Sequence, residues 1–439
     1  MTTQLTVRAV IGSTRPSVDS TGLVFEWDGR LLRAFRGGTA RLIRRLLDEP
    51  WLPELFAAGV VRFRAADVVL EGFDLVVEVD RVPWVTYPRE WPVAMLRDAG
   101  VAIASVGAAL ARHGLGLHDA HPWNVLFDGP RPVFIDLGSI TERPEVAPDW
   151  IDELRRFVVL PLALHRAGLH GIADDIQGVE RGWWMHVLTR PWLRWMPIGF
   201  RRLERNRTDA VAFHTSLGQY LARLSGRTSA SRPADLPARD GGIPIGDAAA
   251  YGPKERSLDE VLGAVPAGRV LDVGTGPGWY ARLAARRGHD VAAIDIEERT
   301  VGSLYAMARD EGLPIVPVRM DVLYPTGSSS LALTCSAAPE RLRSATVLCL
   351  GLLHHLVERQ GVTFEAFADL MDLFAGERAV VEFVPADDPA VRSWGIASQP
   401  WYTPDGLVAA MAPHFRLQRT LPSAPDARCI LVFERLPDH

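Results

Sequence analysis

Residues 269–278 read Arg-Val-Leu-Asp-Val-Gly-Thr-Gly-Pro-Gly, and this stretch decides the fold of the second half of the chain. Val270, Leu271 and Val273 make an apolar run of strand length that empties into Gly274, Gly276 and Gly278. Glycines at single-residue spacing let the backbone approach a bound ligand, because a Cβ there would collide with it. Seventeen residues past the last glycine a second apolar run, 291–294, ends on Asp295. A carboxylate at the tip of the second strand of an α/β unit is placed to accept hydrogen bonds from a ribose diol.

Outward from this core, strands and helices alternate. Strands are expected at 270–273, 291–294, 315–320, 345–350, 379–384 and 429–433, and helices at 258–265, 279–287, 301–311, 363–373 and 404–411. That rhythm implies right-handed crossovers and a parallel, Rossmann-like α/β sheet. Before it, residues 225–253 lose periodicity and carry Ser, Gly, Pro and Arg, the composition of a linker. The first 225 residues place short strand-like runs (5–11, 22–27, 31–35, 68–77) ahead of a long helical segment at 92–113 and helical material at 150–220. Small sheet first and helices second is an α+β arrangement. The expected division is therefore 1–225, a linker at 226–253, and 254–439.

The glycine spacing also bears on the ligand. A dinucleotide fingerprint wants its third glycine three residues after the second, whereas Trp279 stands there and Gly278 comes one residue early. Asp272 inside the strand adds negative charge beside the turn, which suits a cationic amino-acid ligand better than a diphosphate. The run 271–278 resembles the first motif of class I S-adenosylmethionine-dependent methyltransferases. That resemblance implies S-adenosylmethionine (SAM) as cofactor and a reversed strand near the end of the sheet. It also assigns Met320-Asp321 to the adenine and Leu350-Gly351 to the methionine end. His354 and His355, in Gly-Leu-Leu-His-His-Leu, fall at the carboxyl edge where ligands bind in such sheets. One of them is a candidate general base, and capping the strand or packing on the cofactor is the alternative. Glu382, Asp387 and Asp388 follow another strand; they read as ligands for acceptor hydroxyls or a cationic group, or as a solvated loop. Trp401-Tyr402 reads as a lid contact or as the entry to a helix capped by Thr403.

The first half carries a second constellation. In His113-Gly-Leu-Gly-Leu-His-Asp-Ala-His-Pro-Trp-Asn-Val-Leu-Phe127, Asp119 and Asn124 stand five apart, and Val133-Phe-Ile-Asp136-Leu-Gly138 follows. Phosphoryl transfer needs a carboxylate near the attacking hydroxyl, with an amide and a second carboxylate on Mg²⁺. The segment resembles the catalytic and metal loops of protein-kinase-like enzymes. By position the resemblance makes Asp119 the catalytic base and Asn124 and Asp136 metal ligands, with Mg²⁺ and ATP as cofactors. It has gaps. Leu117 and His118 replace the usual loop histidine and arginine, and only Gly12-Ser-Thr-Arg-Pro and Ser20-Thr-Gly are candidates for a phosphate loop. No lysine occurs in this half, so Arg33 is the candidate substitute for the ATP-anchoring lysine, and that swap is not conservative.

Together the two halves resemble the bacterial methyltransferase-domain proteins related to the host-specificity nodulation proteins, with Val82-Pro-Trp-Val-Thr-Tyr-Pro-Arg-Glu-Trp91 as their hinge segment. The implied activity is methylation of an oxygen on a glycan or small polar metabolite. Two alternatives stand beside it. One is a bifunctional kinase–methyltransferase, and the other is a non-catalytic assembly protein built from a pseudokinase and a degenerate cofactor domain.

Composition narrows these classes. The 439 residues are 48% hydrophobic and 23% charged with net charge −5, which argues for an ordinary globular chain and against a general nucleic-acid binder. Three cysteines without CxxC spacing suggest neither a disulfide framework nor a zinc site. No signal-peptide pattern opens the chain and no apolar run approaches eighteen residues, so a cytoplasmic protein without a transmembrane segment is expected. Trp183, Trp184, Trp192 and Trp195 alternate with arginines, a pattern that fits peripheral membrane contact, a glycan, a partner or simple lobe packing. Lys254 is the sole lysine.

Overall fold

Apolar runs of five or six residues interrupted by glycine turns and 3.6-periodic segments can only bury both faces of their strands inside a layered sheet. A computed structural model of the protein describes residues 3–6, 22–168, 197–224, 243–328, 335–389, 391–392, 394–395 and 399–437. Two compact units emerge: Met1–Val82, Tyr87–Ala230 and Ser328–Ser336 in one, and Pro83–Thr86, Ser231–Gly327 and Ala337–His439 in the other.

The second unit is built on seven strands: β1 Arg269–Val273, β2 Asp290–Asp295, β3 Ile315–Arg319, β4 Ser344–Cys349, β5 Ala375–Phe383, β6 Phe415–Pro422 and β7 Cys429–Arg435. Their spatial order is β3-β2-β1-β4-β5-β7-β6. The first five are parallel and β7 alone runs against its neighbours. The order reverses at β1, so the carboxyl ends of β1 and β4 flank the crevice where such sheets bind ligands. Helices Trp279–Arg286, Pro253–Ala264 and Glu298–Glu311 pack Leu283, Leu258, Leu262, Leu304 and Ala308 onto the sheet residues Val270, Val291, Ala293 and Ile315. Burying each such leucine stabilises the unit by about 1.5–3 kcal/mol. Thr363 caps the helix Phe364–Phe374 by accepting from the Ala366 amide at 3.2 Å, an interaction of about 1 kcal/mol.

Three details depart from the sequence reading. β6 is a strand despite its charged Arg416 and Arg419, because it is the sheet edge, where charges block further pairing. The expected linker ends ten residues early, since Ile243, Ile245 and Tyr251 pack on the core and the Trp279 indole donates to the Ile243 carbonyl at 2.9 Å. Pro83–Thr86 groups with the second unit rather than the first: the Arg269 guanidinium lies 4.0 Å from the Trp84 ring, and Arg341 donates to the Val85 carbonyl at 2.5 Å.

In the first unit a four-stranded antiparallel sheet has the order Gly22–Trp27, Arg30–Phe35, Leu75–Val79, Phe63–Ala65. Its first hairpin turns on Asp28-Gly29, both at positive φ (51° and 73°), as an Asp-Gly two-residue turn requires. The expected strand at 68–77 is two strands, Val68–Leu70 and Leu75–Val79, broken at Gly72. Helices Gly37–Leu47 and Leu52–Ala58 also went unread. Among the described residues, the long helix Val93–Arg112 is apolar enough by length and composition to cross a membrane, and 67% of its apolar window is buried inside the unit. Its glycines are contact points: a Cβ on Gly100 would lie 2.7 Å from Val158, and one on Gly107 would lie 2.5 Å from the His214 ring. The tryptophan–arginine stretch and the candidate phosphate loop at 12–16 fall outside the described residues, and of the second candidate only Gly22 is described, as the first residue of the strand Gly22–Trp27.

Candidate functional site

A cleft of about 700 Å³ opens in the second unit over the carboxyl ends of β1 and β4. The glycine turn forms one wall. Gly274, Gly276 and Gly278 all have positive φ (71°, 53° and 82°), but for different reasons. A Cβ on Gly276 would meet nothing within 4 Å, so that position faces open space in the cleft wall. A Cβ on Gly274 would press to 2.9 Å on Leu352, and one on Gly278 to 2.4 Å on Leu304. Gly278 is not among the residues lining the cleft; it is the entry to the helix Trp279–Arg286. Its glycine is therefore demanded by protein packing rather than by a ligand.

The expected carboxylates are placed around this turn. Asp272, 2% exposed, lines the cleft and accepts from the Thr275 hydroxyl at 2.7 Å. Asp295 accepts from the Gly276 and Glu297 amides, each at 3.0 Å, so one carboxylate fixes the turn to the tip of β2. Asp321 accepts from the Leu323 amide at 3.0 Å just past β3, beside the buried Met320, whose sulfur accepts from the Thr326 amide. Gly351, at φ 65°, brings backbone against the cleft where a Cβ would be 3.6 Å from Glu382.

His354 and His355 do not sit in a loop but in the helix Leu353–Gln360, whose first turn they occupy. Both line the cleft, their ring centroids are 4.3 Å apart, and Trp394 lies 5.6 Å from the first and 5.1 Å from the second. Together they form an aromatic wall with two imidazoles in it.

Elsewhere around the cleft, Glu382 and Asp388, singled out in the sequence, are joined by Lys254, Ser423 and Arg428. Glu382, fully buried, takes the Lys254 ammonium at 2.8 Å and the Ser423 hydroxyl at 2.6 Å. Lys254 also lies 4.7 Å from the Tyr280 ring. Asp388, 1% exposed, holds Arg428 in a two-pronged pair at 2.7 and 3.0 Å, which raises the Arg428 pKa through the hydrogen bonds to Asp388. Glu382 and Asp388 are thus engaged by protein cations rather than lying in a solvated loop. Burial pushes the Cys349 thiol far above its ordinary range, and the Asp272 and Glu382 charges add to that, so Cys349 is an inert core residue. Tyr402 is buried, donates to the Val384 carbonyl at 3.0 Å, and has its phenol raised by desolvation; it packs against Phe383 rather than forming a lid.

In the first unit, Asp119, Asn124 and Asp136 come together through backbone pairing. The His118 amide donates to the Ser139 carbonyl at 2.7 Å, the Asp119 amide to the Ser139 hydroxyl at 3.0 Å, and the Ile135 amide to the Asn124 carbonyl at 2.8 Å. Arg33 reaches this group from its strand: it donates to the Ile135 carbonyl at 2.8 Å and to Asp136 Oδ1 at 2.5 Å. The same Asp136 oxygen accepts from the Gly138 amide at 3.0 Å. A divalent cation fits poorly at an Asp136 carboxylate already paired with the Arg33 guanidinium, because the two positive charges would sit on one carboxylate.

No protein-family model matches the chain. It is 23% identical over 429 residues to the nodulation protein NoeA of Rhizobium meliloti (strain 1021), a span covering 87% of this chain and 86% of that protein. Among solved structures it resembles magnesium protoporphyrin IX methyltransferase ChlM of Synechocystis PCC 6803 with bound SAM, at 20% identity and TM-score 0.30 over 41% of this chain and 79% of that one. It also resembles the N-methyltransferase NodS of Bradyrhizobium japonicum WM9, at 15% identity and TM-score 0.31 over 42% and 97%.

Proposed function

We propose that the second unit is a SAM-dependent methyltransferase and that its acceptor is an oxygen of a glycan or small polar metabolite. The observation that carries this reading is the Gly276 turn, which opens on the cleft while its amide is held by Asp295 at the tip of the neighbouring strand. That geometry leaves a backbone cradle next to a carboxylate able to accept from a ribose diol. Asp272 and Gly351 would hold the amino-acid end, and Met320 with Asp321 the adenine. When bound, SAM supplies an electrophilic methyl group.

The chain's own contribution is to position the acceptor and take its proton. His354 or His355 is the group for the second task, because both imidazoles line the cleft beside Trp394 at the carboxyl edge of β4. Lys254 is unsuited to it, because its ammonium is already engaged by the buried Glu382 carboxylate at 2.8 Å. Charge on the acceptor side is balanced pair by pair, Lys254 with Glu382 and Arg428 with Asp388. A neutral, hydroxyl-bearing acceptor packed on the Trp394 and Tyr280 rings suits such a wall better than an ion does. The expected place of action is the cytoplasm, without nucleic acid as partner.

For the first unit the favoured reading is a kinase-like domain that does not transfer phosphate, because Arg33 closes on Asp136. Calorimetric titration of the full chain with SAM and, separately, with Mg²⁺-ATP tests both halves. SAM binding that Asp295→Ala weakens at least tenfold supports the proposal, and absence of SAM binding removes it. Mg²⁺-ATP binding that Asp136→Ala abolishes would favour the bifunctional alternative.

A further inference from the structure

Glu255 lines the cleft of the second unit and is only 6% exposed, yet among the described residues no cation pairs with its carboxylate. Its one hydrogen bond comes from the Tyr280 hydroxyl at 3.4 Å, which is long for an O–H donor. The neighbouring cations are engaged elsewhere. Lys254, the preceding residue, pairs with Glu382 at 2.8 Å, and Arg256 donates to the Tyr251 carbonyl. Arg428 is held by Asp388, and the exposed Arg359 lies 5.8 Å from the Trp394 ring.

Helix geometry does not account for this burial. Glu255 sits in the first turn of the helix Pro253–Ala264, where a negative charge complements the helix dipole. A solvated side chain makes the same contribution, so the dipole gives no reason to take the carboxylate out of water. Burying a charge without a partner is costly, and a ligand of opposite charge offsets that cost. The wall that holds Glu255 also contains Asp272, Gly274 and Gly276.

We infer that Glu255 makes the cleft selective for the cationic sulfonium cofactor over the neutral thioether that methyl transfer leaves behind, an inference that rests on the methyltransferase reading. In that reaction the carbon–sulfur bond breaks as the carbon–oxygen bond forms. Sulfur keeps the electron pair and loses its positive charge, and the acceptor's proton passes to a base. SAM and S-adenosylhomocysteine (SAH) therefore differ by one methyl group and one unit of charge. A carboxylate without a counter-ion acts on that difference undiminished, and the low dielectric of a buried wall carries its field beyond contact distance. Glu382 and Asp388 act on it far less, because a protein cation lies within hydrogen-bond distance of each. Glu255 is thus a specificity residue for the cofactor, and its attraction weakens once the methyl group has left, which favours release of the product.

The test is calorimetric titration of the full chain with SAM and, separately, with SAH. The native chain is expected to bind SAM at least tenfold more tightly than SAH. Glu255→Gln keeps the shape and an oxygen for the Tyr280 hydroxyl but removes the charge; it is expected to weaken SAM at least tenfold and SAH less than threefold. Glu255→Asp keeps the charge and is expected to retain the preference for SAM. Glu260→Gln, which removes an exposed carboxylate from the same helix, is expected to leave the ratio of the two affinities unchanged. A native chain that binds both ligands equally, or SAH more tightly, overturns the inference without recourse to any variant. So does a Glu255→Gln chain that loses both ligands in equal proportion, as it would if the carboxylate were merely structural. A native chain that binds neither ligand removes the methyltransferase reading itself.

Discussion

Replacing Lys254 by Met should unfold the cleft's acceptor wall far more readily than a single surface lysine could. Glu382 is fully buried, its partner Lys254 is only 13% exposed, and the two are 2.8 Å apart. With Lys254 gone, the carboxylate keeps the Ser423 hydroxyl at 2.6 Å and the more distant field of Arg428, but no direct cation. Removing one partner of a buried pair costs about 3–5 kcal/mol, and the surviving hydroxyl and Arg428 field place this case near 3. In a unit of this size each kcal/mol lowers the melting temperature by about 2–4 °C, so Lys254→Met should melt roughly 6–12 °C below the native chain. Hydrogen exchange of the β5 amides gives a local readout of the same loss. The double variant Lys254→Met, Glu382→Met replaces the pair with two unbranched apolar chains of similar volume and should recover at least half of the deficit. A single variant within about 1 kcal/mol of the native protein, or a double variant as unstable as the sum of the singles, would refute the reasoning.

Three other outcomes follow from the geometry. Gly276→Ala meets open space but must adopt a left-handed backbone, so it should cost about 1–2 kcal/mol of stability and weaken SAM at least tenfold in calorimetry; Gly278→Ala should lower the melting temperature further, because its Cβ also clashes with Leu304. His214 is lowered by desolvation to about 4, below its ordinary value of 6.5, so the folded state binds fewer protons than the unfolded one. Stability of the first unit should therefore hold above pH 6.5 and fall by roughly 3 kcal/mol as pH drops from 6.5 to 4, a slope that urea melts of His214→Gln should lack. Gly107→Ala, whose Cβ would sit 2.5 Å from the His214 ring, should destabilise the same unit at neutral pH by about 1–3 kcal/mol in those melts.

Local signals made much of this architecture legible. The five parallel strands and the turn at 274–278 could be read because apolar runs and glycines are contiguous in sequence. Where the sequence reading failed, the cause was usually a partner far along the chain. Lys254 stood out as the sole lysine, but its carboxylate lies 128 residues away, so its seat in the cleft had no local sign. Glu382 and Asp388 looked like ligands for an acceptor because the cations that engage them, Lys254 and Arg428, come from other elements. Gly278 was read as a ligand contact, whereas the atom that excludes a side chain there belongs to Leu304. The helix Leu353–Gln360 did carry a signal, Leu353, Leu356 and Val357 at helical spacing, that the glycine and paired histidines around it obscured.

Arg33 shows how one substitution can change what a loop does. Its planar fork donates to the Ile135 carbonyl and to Asp136 at once, and the side chain is only 12% exposed. A lysine, with a single compact ammonium, cannot span both acceptors in the same way, and would leave Asp136 freer to turn toward a cation. Arginine in this position therefore acts as a clamp on the carboxylate that kinase-like chemistry needs for Mg²⁺. The native chain should show no Mg²⁺-dependent ATP binding, while Arg33→Met, which removes the clamp and leaves Asp136 with the Gly138 amide, should bind Mg²⁺ more tightly than the native chain does. Calorimetry on both chains decides the point. If the native protein binds Mg²⁺-ATP, and Asp136→Asn abolishes that binding, Arg33 cannot be a clamp and must yield to the metal, and the first unit regains the constellation that phosphoryl transfer requires.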